Sequence, residues 1–168
     1  MQIHPSSNSV QPSVFVPHGA PTFALRPGAA GAAMAQYAQS LERPRAIIMV
    51  SAHCTTRSPV VGAAARPQTV HDYWGFPADL YQISYPGTGC AEASREVADA
   101  LAQAGFGVTI NPDQGLDHGA WIPLRLMFPH ADVPVIPLSI QVHLGPDHHY
   151  RLGQALAPLT RRGFLVLA

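Results

Sequence analysis

Residues 45–54 read RAIIMVSAHC. From Arg45 to Ser51 the run is apolar without alternation, as expected of a strand covered on both faces, and it ends at Ala52-His53. Such a strand needs helices above and below it, so the flanking segments decide the architecture. Upstream, residues 29–41 (AAGAAMAQYAQSL) favour helix, and before them Val14–Val16 forms a short β-branched and aromatic run that ends in Pro17-His18-Gly19. Downstream, residues 90–104 (CAEASREVADALAQA) repeat Ala93, Val97, Ala100, Leu101 and Ala104 at three- and four-residue spacing. That spacing predicts an amphipathic helix, stopped by Gly105 or Gly107.

Beyond it, residues 106–110 (FGVTI) read as a strand, and residues 119–127 as a short helix following Asp117-His118. Residues 133–140 (VPVIPLSI) read as a strand whose Pro134 and Pro137 argue for an edge or bulged position. Asp147 can cap a helix over 148–162, kinked at Pro158, and Phe164–Leu167 begins another strand. Residues 59–87, broken by Gly, Pro and aromatics, read as a long functional loop with one short strand around Leu80–Ser84. The alternation predicts an α/β fold: a mixed or mostly parallel sheet with helices on both faces, in a single domain. Residues 1–13 form a loose lead-in and 14–168 the domain. Because the chain stops on an apolar strand, the domain is expected to be incomplete at its C-terminus.

The composition narrows the function. Of 168 residues, 47% are hydrophobic and only 12% charged, with a formal net charge of zero. No basic block points to nucleic acid, and no acidic block reads as a tail. No apolar stretch is long enough for a membrane span, and the N-terminus has no secretory pattern, so a cytoplasmic protein is expected. Cys54 and Cys90 form no CxxC pattern, which argues against a disulfide framework or a cysteine zinc site.

Nine histidines against ten Lys plus Arg is the outlier. Three of them share a context. His18 follows the first strand, with Gly19 beside it; His53 ends the apolar strand; His118 lies in Gly115-Leu116-Asp117-His118-Gly119 before a helix. In open α/β sheets, ligands bind beyond the carboxyl ends of the strands, so three imidazoles placed there could converge. Taken singly, a strand-end histidine is more often a hydrogen-bonded turn residue than a ligand, and Asp117 reads equally well as an ordinary cap. His130, His143, His148 and His149 lie near turns or a helix start and are assigned to the surface or to capping. Cys54 reads as a small buried hydrophobe, and Trp121 as packing under its helix.

Five segments in order, VPHGAPTFAL, IIMVSAHC, TVHDYWGFPADLYQISYPGTG, GLDHGAWIPLRLMFPHADVPVIPLSI and HHYRLGQALAPL, resemble the DOPA-type extradiol ring-cleavage dioxygenases. This is the class III superfamily that includes the protocatechuate 4,5-dioxygenase β-subunit, and the resemblance covers almost the whole chain from residue 14. It implies a metal-dependent enzyme that opens the ring of a DOPA-like catechol with O2. His18 and His53 would be ligands of a non-haem metal, Fe(II) as the working ion with Zn(II) as the other candidate. His118 would be the catalytic acid, and the loop His71–Phe76 would border the pocket, with His71, Tyr73 and Trp74 as substrate contacts. The family's catalytic base and third ligand are expected beyond Ala168. The chemistry suits the residue types: a facial set of three ligands leaves three positions on octahedral Fe(II), two for catechol oxygens and one for O2. An imidazole can serve as acid or base near neutral pH. Two other readings stand beside it: a zinc hydrolase, since strand-end histidines also suit a water-activating metal, and a non-catalytic binding relative of the same fold. Core packing is an equal alternative for Trp74 and Phe76.

Overall fold

The structure, a computed structural model, describes residues 10–168. Six strands form one sheet in the order β1-β6-β2-β5-β3-β4, where β1 is Ser13–Val14, β2 Ala46–Thr55, β3 Val60–Gly62, β4 Thr109–Asn111, β5 Val135–Ile140 and β6 Phe164–Leu167. Every neighbouring pair is parallel except β3 with β5, so the sheet is mixed and mostly parallel, as expected. Four helices cover it: α1 (Gly28–Ser40), α2 (Ala91–Gln103), α3 (His118–Met127) and α4 (Gly145–Thr160).

Side chains alternate across a strand, and here both sets are buried. Ile47 and Met49 of β2, Val135 of β5 and Leu165 and Leu167 of β6 join the core under α1 and α3, which includes Trp121, Leu124 and Met34. Ala46, Ile48, Ile136, Leu138 and Phe164 join the opposite core, with Val97 and Leu101 of α2 and Leu152 and Leu156 of α4. The apolar run of β2 is therefore continuous because neither of its faces meets water. No helix among the described residues is long and apolar enough to cross a membrane.

Several expectations are corrected. The strand expected at Val14–Val16 pairs over Ser13–Val14 only, although the Val16 N–H still reaches Ala168 O at 2.8 Å. The strand expected around Leu80–Ser84 is instead a 3-10 turn, Ala78–Gln82, opened by Pro77 and pinned by the fully buried Leu80. β3 lies in the segment read as loop; its three residues, Val-Val-Gly, are too few to show a period. The strand expected over 106–110 pairs at 109–111.

β5 is not at an edge but lies between β2 and β3. Pro134 precedes the strand, and Pro137 within it is tolerated because of direction. Val135 turns its N–H away from β2 to Thr88 O at 2.8 Å, and with a two-residue period Pro137 points the same way. On that side β5 meets β3 through the single pair Val61–Leu138, so no ladder bond is lost. The helix expected over 148–162 starts earlier, at Gly145, with Pro146 in its first turn and no side-chain cap, and runs through Pro158 to Thr160. Of the two glycines expected to stop α2, Gly105 takes the left-handed conformation at φ +86°. Most of the lead-in 1–13 lies outside the described residues.

Candidate metal and acid site

Three separate stretches of chain build the site. After β1 the backbone turns at Gly19 (φ +64°), which leaves His18 half-buried over the end of the sheet. A side chain at Gly19 would also press on Phe23, 3.0 Å from a new Cβ. β2 carries His53 beyond the register shift that follows Val50, where the strand leaves the core and His53 becomes exposed. His118 opens α3 and is 7% exposed. Asp117 is the N-cap, its carboxylate accepting the Ala120 N–H at 3.2 Å, which satisfies a donor the helix itself leaves free.

β2 and α3 are fixed to each other at this point. The Ser51 hydroxyl donates to Asp117 Oδ1 and accepts the His53 N–H at 3.1 Å, so one side chain ties the cap of α3 to the His53 backbone. Gly119 lets the two elements approach: a Cβ there would lie 2.5 Å from Ser51 Oγ and 2.9 Å from His53 Cδ2.

The three imidazoles meet. Ring centroids are 4.9 Å apart for His18 and His53, 4.1 Å for His53 and His118, and 5.4 Å for His18 and His118. His18 Nε2 and His53 Nε2 are 3.0 Å apart, and one nitrogen from each of the three residues lies within 4.8 Å of the others. Two nitrogens bound to one cation at about 2.0–2.1 Å are about 3 Å apart, so the donor set fits a divalent metal. Burial, and after it the neighbouring His53 and His118, lower the pKa of His18 and favour the neutral, ligating imidazole.

The remaining predicted residues divide. Tyr73 is buried, sets its ring edge-on to His118 at 5.6 Å and donates its hydroxyl to Leu80 O at 3.3 Å. His71 donates Nε2–H to Ile83 O at 2.9 Å and packs near Tyr73 and Trp121, one layer away from the imidazole cluster. Trp74 is 86% exposed, so its core-packing alternative is overturned, whereas Phe76 is half-buried against Tyr73. Cys54 is half-buried, and burial pushes its thiol up to about 11. His148 is not at the surface: it is buried, with Nε2 2.9 Å from Gln141 Oε1. The two residues that hold the site together, Ser51 and Asp72, carried only faint signals: a hydroxyl at the end of an apolar strand and a carboxylate beside His71. Asp72 accepts from both the backbone and the ring of His118. An open cavity of about 490 Å³ begins at Gly19, beside His18, and is lined by Thr22, Phe23, Leu25, Arg26 and Pro77.

Comparison with known proteins identifies the family. The family model described as the catalytic LigB subunit of aromatic ring-opening dioxygenase matches residues 29–168. A 4,5-DOPA dioxygenase extradiol of Beta vulgaris is 41% identical over 96% of this chain and 62% of its own length. The protein of the same name from Escherichia coli K12 is 35% identical over 96% of the chain and 59% of its own length. The crystal structure of uncharacterized protein JW3007 from Escherichia coli K12 superposes with a TM-score of 0.69 at 30% identity, over 84% of this chain and 52% of that one. The chain thus spans about three-fifths of the length of these two curated relatives.

Proposed function

The chain belongs to the LigB family of catalytic subunits of aromatic ring-opening dioxygenases, and from that premise we propose that it carries the metal and acid site of an extradiol dioxygenase acting on a DOPA-like catechol with O2. One observation carries the proposal: His18, His53 and His118, from three separate parts of the chain, bring nitrogens within 4.8 Å of one another, His53 from the C-terminal part of β2, His18 after β1 and His118 at the start of α3.

In this reading His18 and His53 hold the metal, with Fe(II) as the working ion and Zn(II) as the alternative. A divalent ion there supplies open coordination positions and Lewis acidity toward the two oxygens of a catechol. The family implies a metal and an aromatic substrate used with O2; the choice of ion and of catechol is our proposal. His118, with its ring 4.1 Å from that of His53, would hold a proton and deliver it to the oxygen that becomes basic as the O–O bond breaks. Its burial under Tyr73 keeps water from that proton. Tyr73, Trp74 and His71 are assigned to the substrate side, with the exposed Trp74 ring free to meet an aromatic ligand. The two free thiols, Cys54 and Cys90, suit a cytoplasmic setting.

A second reading is favoured by the same cluster. If His118 is a third ligand, the protein presents the three-imidazole set with which zinc activates water. The two carboxylates beside the cluster are both engaged, Asp72 by His118 and Asp117 by the Ser51 hydroxyl and the Ala120 N–H, and neither is free to serve as the base of such a hydrolase. Anaerobic loading of the full-length protein with Fe(II), followed by addition of DOPA and air, separates the readings. Oxygen uptake with a yellow ring-opened product is expected; a hydrolase takes up no oxygen, and a binding relative leaves both substrate and oxygen unchanged.

A further inference from the structure

The polar contacts of His118 converge on one group. Asp72 Oδ1 accepts the His118 backbone N–H at 2.9 Å, and Nδ1 of the ring lies 2.9 Å from Oδ1 and 3.0 Å from Oδ2. The pair is largely enclosed, with the two side chains 9% and 27% exposed. Burial pushes the Asp72 carboxyl up, but the backbone and ring bonds from His118 outweigh it and hold the group below the ordinary carboxylate range. Asp72 is therefore ionised at neutral pH, and an ionised carboxylate can only accept. Nδ1 must carry a hydrogen to meet it.

Asp72 is itself held in place. The Val70 N–H donates to Leu116 O, and the Leu116 N–H to Gln68 O, both at 2.8 Å. The Trp121 indole donates to Val70 O at 3.2 Å. Gly115 allows this strap to lie close, since a Cβ there would be 2.6 Å from Val70 Cγ2. The loop that carries Asp72 is thus laid down on the start of α3, the element that carries His118.

We propose that Asp72 is the positioning residue of this site: it fixes His118 as the Nδ1–H tautomer and aims its ring, so that Nε2 is the nitrogen that works at the His18–His53 cluster. Nothing in the family match assigns this role. The inference rests on the proposed function only in giving Nε2 something to do; the tautomer follows from the contacts alone. A carboxylate behind an imidazole fixes its tautomer, raises the basicity of the far nitrogen and stops the ring from turning.

The test is the tautomer itself, read in the chelator-treated full chain by long-range ¹H–¹⁵N correlation at about pH 8.5, where imidazoles are neutral. The His118 signals are identified by their loss in His118→Gln. In the wild type, Nδ1 is expected to be protonated and Nε2 bare. Asp72→Asn places an amide N–H₂ against one of the two His118 donors, so the ring is expected to shift to the Nε2–H form or to a mixture. A wild-type ring with hydrogen on Nε2, or an Asp72→Asn spectrum identical to wild type, overturns the proposal. If Asp72→Asn does not fold, the wild-type spectrum decides alone. Absence of oxygen uptake with DOPA would remove the dioxygenase reading and leave the tautomer result standing.

Discussion

Replacing Gly119 by alanine tests how the site is assembled. Gly119 is the second residue of α3, where alanine would ordinarily favour the helix by up to about 1 kcal/mol. Here the new methyl would lie 2.5 Å from Ser51 Oγ and 2.9 Å from His53 Cδ2, well inside contact distance. Ser51 cannot step aside freely, because it bonds Asp117 and the His53 N–H. Breaking a hydrogen bond to a carboxylate costs about 1.5–3 kcal/mol and a neutral one about 1 kcal/mol. Set against the helix gain, Gly119→Ala should destabilise the fold by about 1–3 kcal/mol, in the range typical of overpacking. Because His53 is one of the displaced groups, Zn(II) affinity should fall by about tenfold or more. Gly153 is the control: it lies within α4, nothing stands within 4 Å of its added Cβ, and alanine there should stabilise by about 0.5–1 kcal/mol. Urea denaturation and calorimetric metal titration of the two variants measure both effects. A Gly119→Ala protein as stable as wild type, with unchanged metal affinity, would refute the crowding argument.

Other predictions follow from single contacts. Glu96 accepts from Arg45 at 2.9 Å and Arg162 at 2.6 Å and is 14% exposed. The Arg45 hydrogen bond outweighs burial and, with the charges of both arginines, holds its carboxyl below the ordinary range. A depressed folded pKa means stability that is present above the unfolded value of about 4.3 and lost as pH falls through the folded one. Glu96→Gln should therefore cost about 1 kcal/mol near neutrality, discounted for the exposure of Arg162, and the difference from wild type should disappear in acid as the pH falls through the lowered Glu96 pKa. Trp74→Ala, at an exposed site, should change stability by less than about 0.5 kcal/mol while raising KM for DOPA; an unchanged KM would remove Trp74 from the substrate side. His118→Ala distinguishes an acid from a ligand: as an acid its loss lowers kcat with one metal per chain retained, and as a ligand its loss abolishes the metal.

Much of the fold was legible because buried parallel strands announce themselves. Ile47–Val50 and Phe164–Leu167 are continuous apolar runs, and α2 carries a clean helical period over Ala93, Val97 and Leu101. β3 and β4 were missed or shifted because three-residue strands have no period to read. β5 misled through its prolines, since a sequence does not say which side of a strand a missing N–H faces. The sequence set His18, His53 and His118 apart as histidines after or at the ends of predicted strands, two of them beside a glycine, and the structure brings all three together. The supporting contacts were not legible. Asp72 and His118 are 46 residues apart and Ser51 and Asp117 are 66 apart, and only the folded sheet makes them neighbours. The exposure of Trp74 was likewise invisible, because an aromatic in a loop reads the same whether it covers a core or faces solvent.

The central claim is that the imidazoles of His18 and His53 share one cation. Titrating the chelator-treated protein with Co(II), followed by visible absorption, measures this directly. The account predicts one equivalent per chain with nitrogen-ligated bands in wild type, and loss of those bands in both His18→Ala and His53→Ala. Retention of one tightly bound equivalent with an unchanged spectrum in both variants would contradict it.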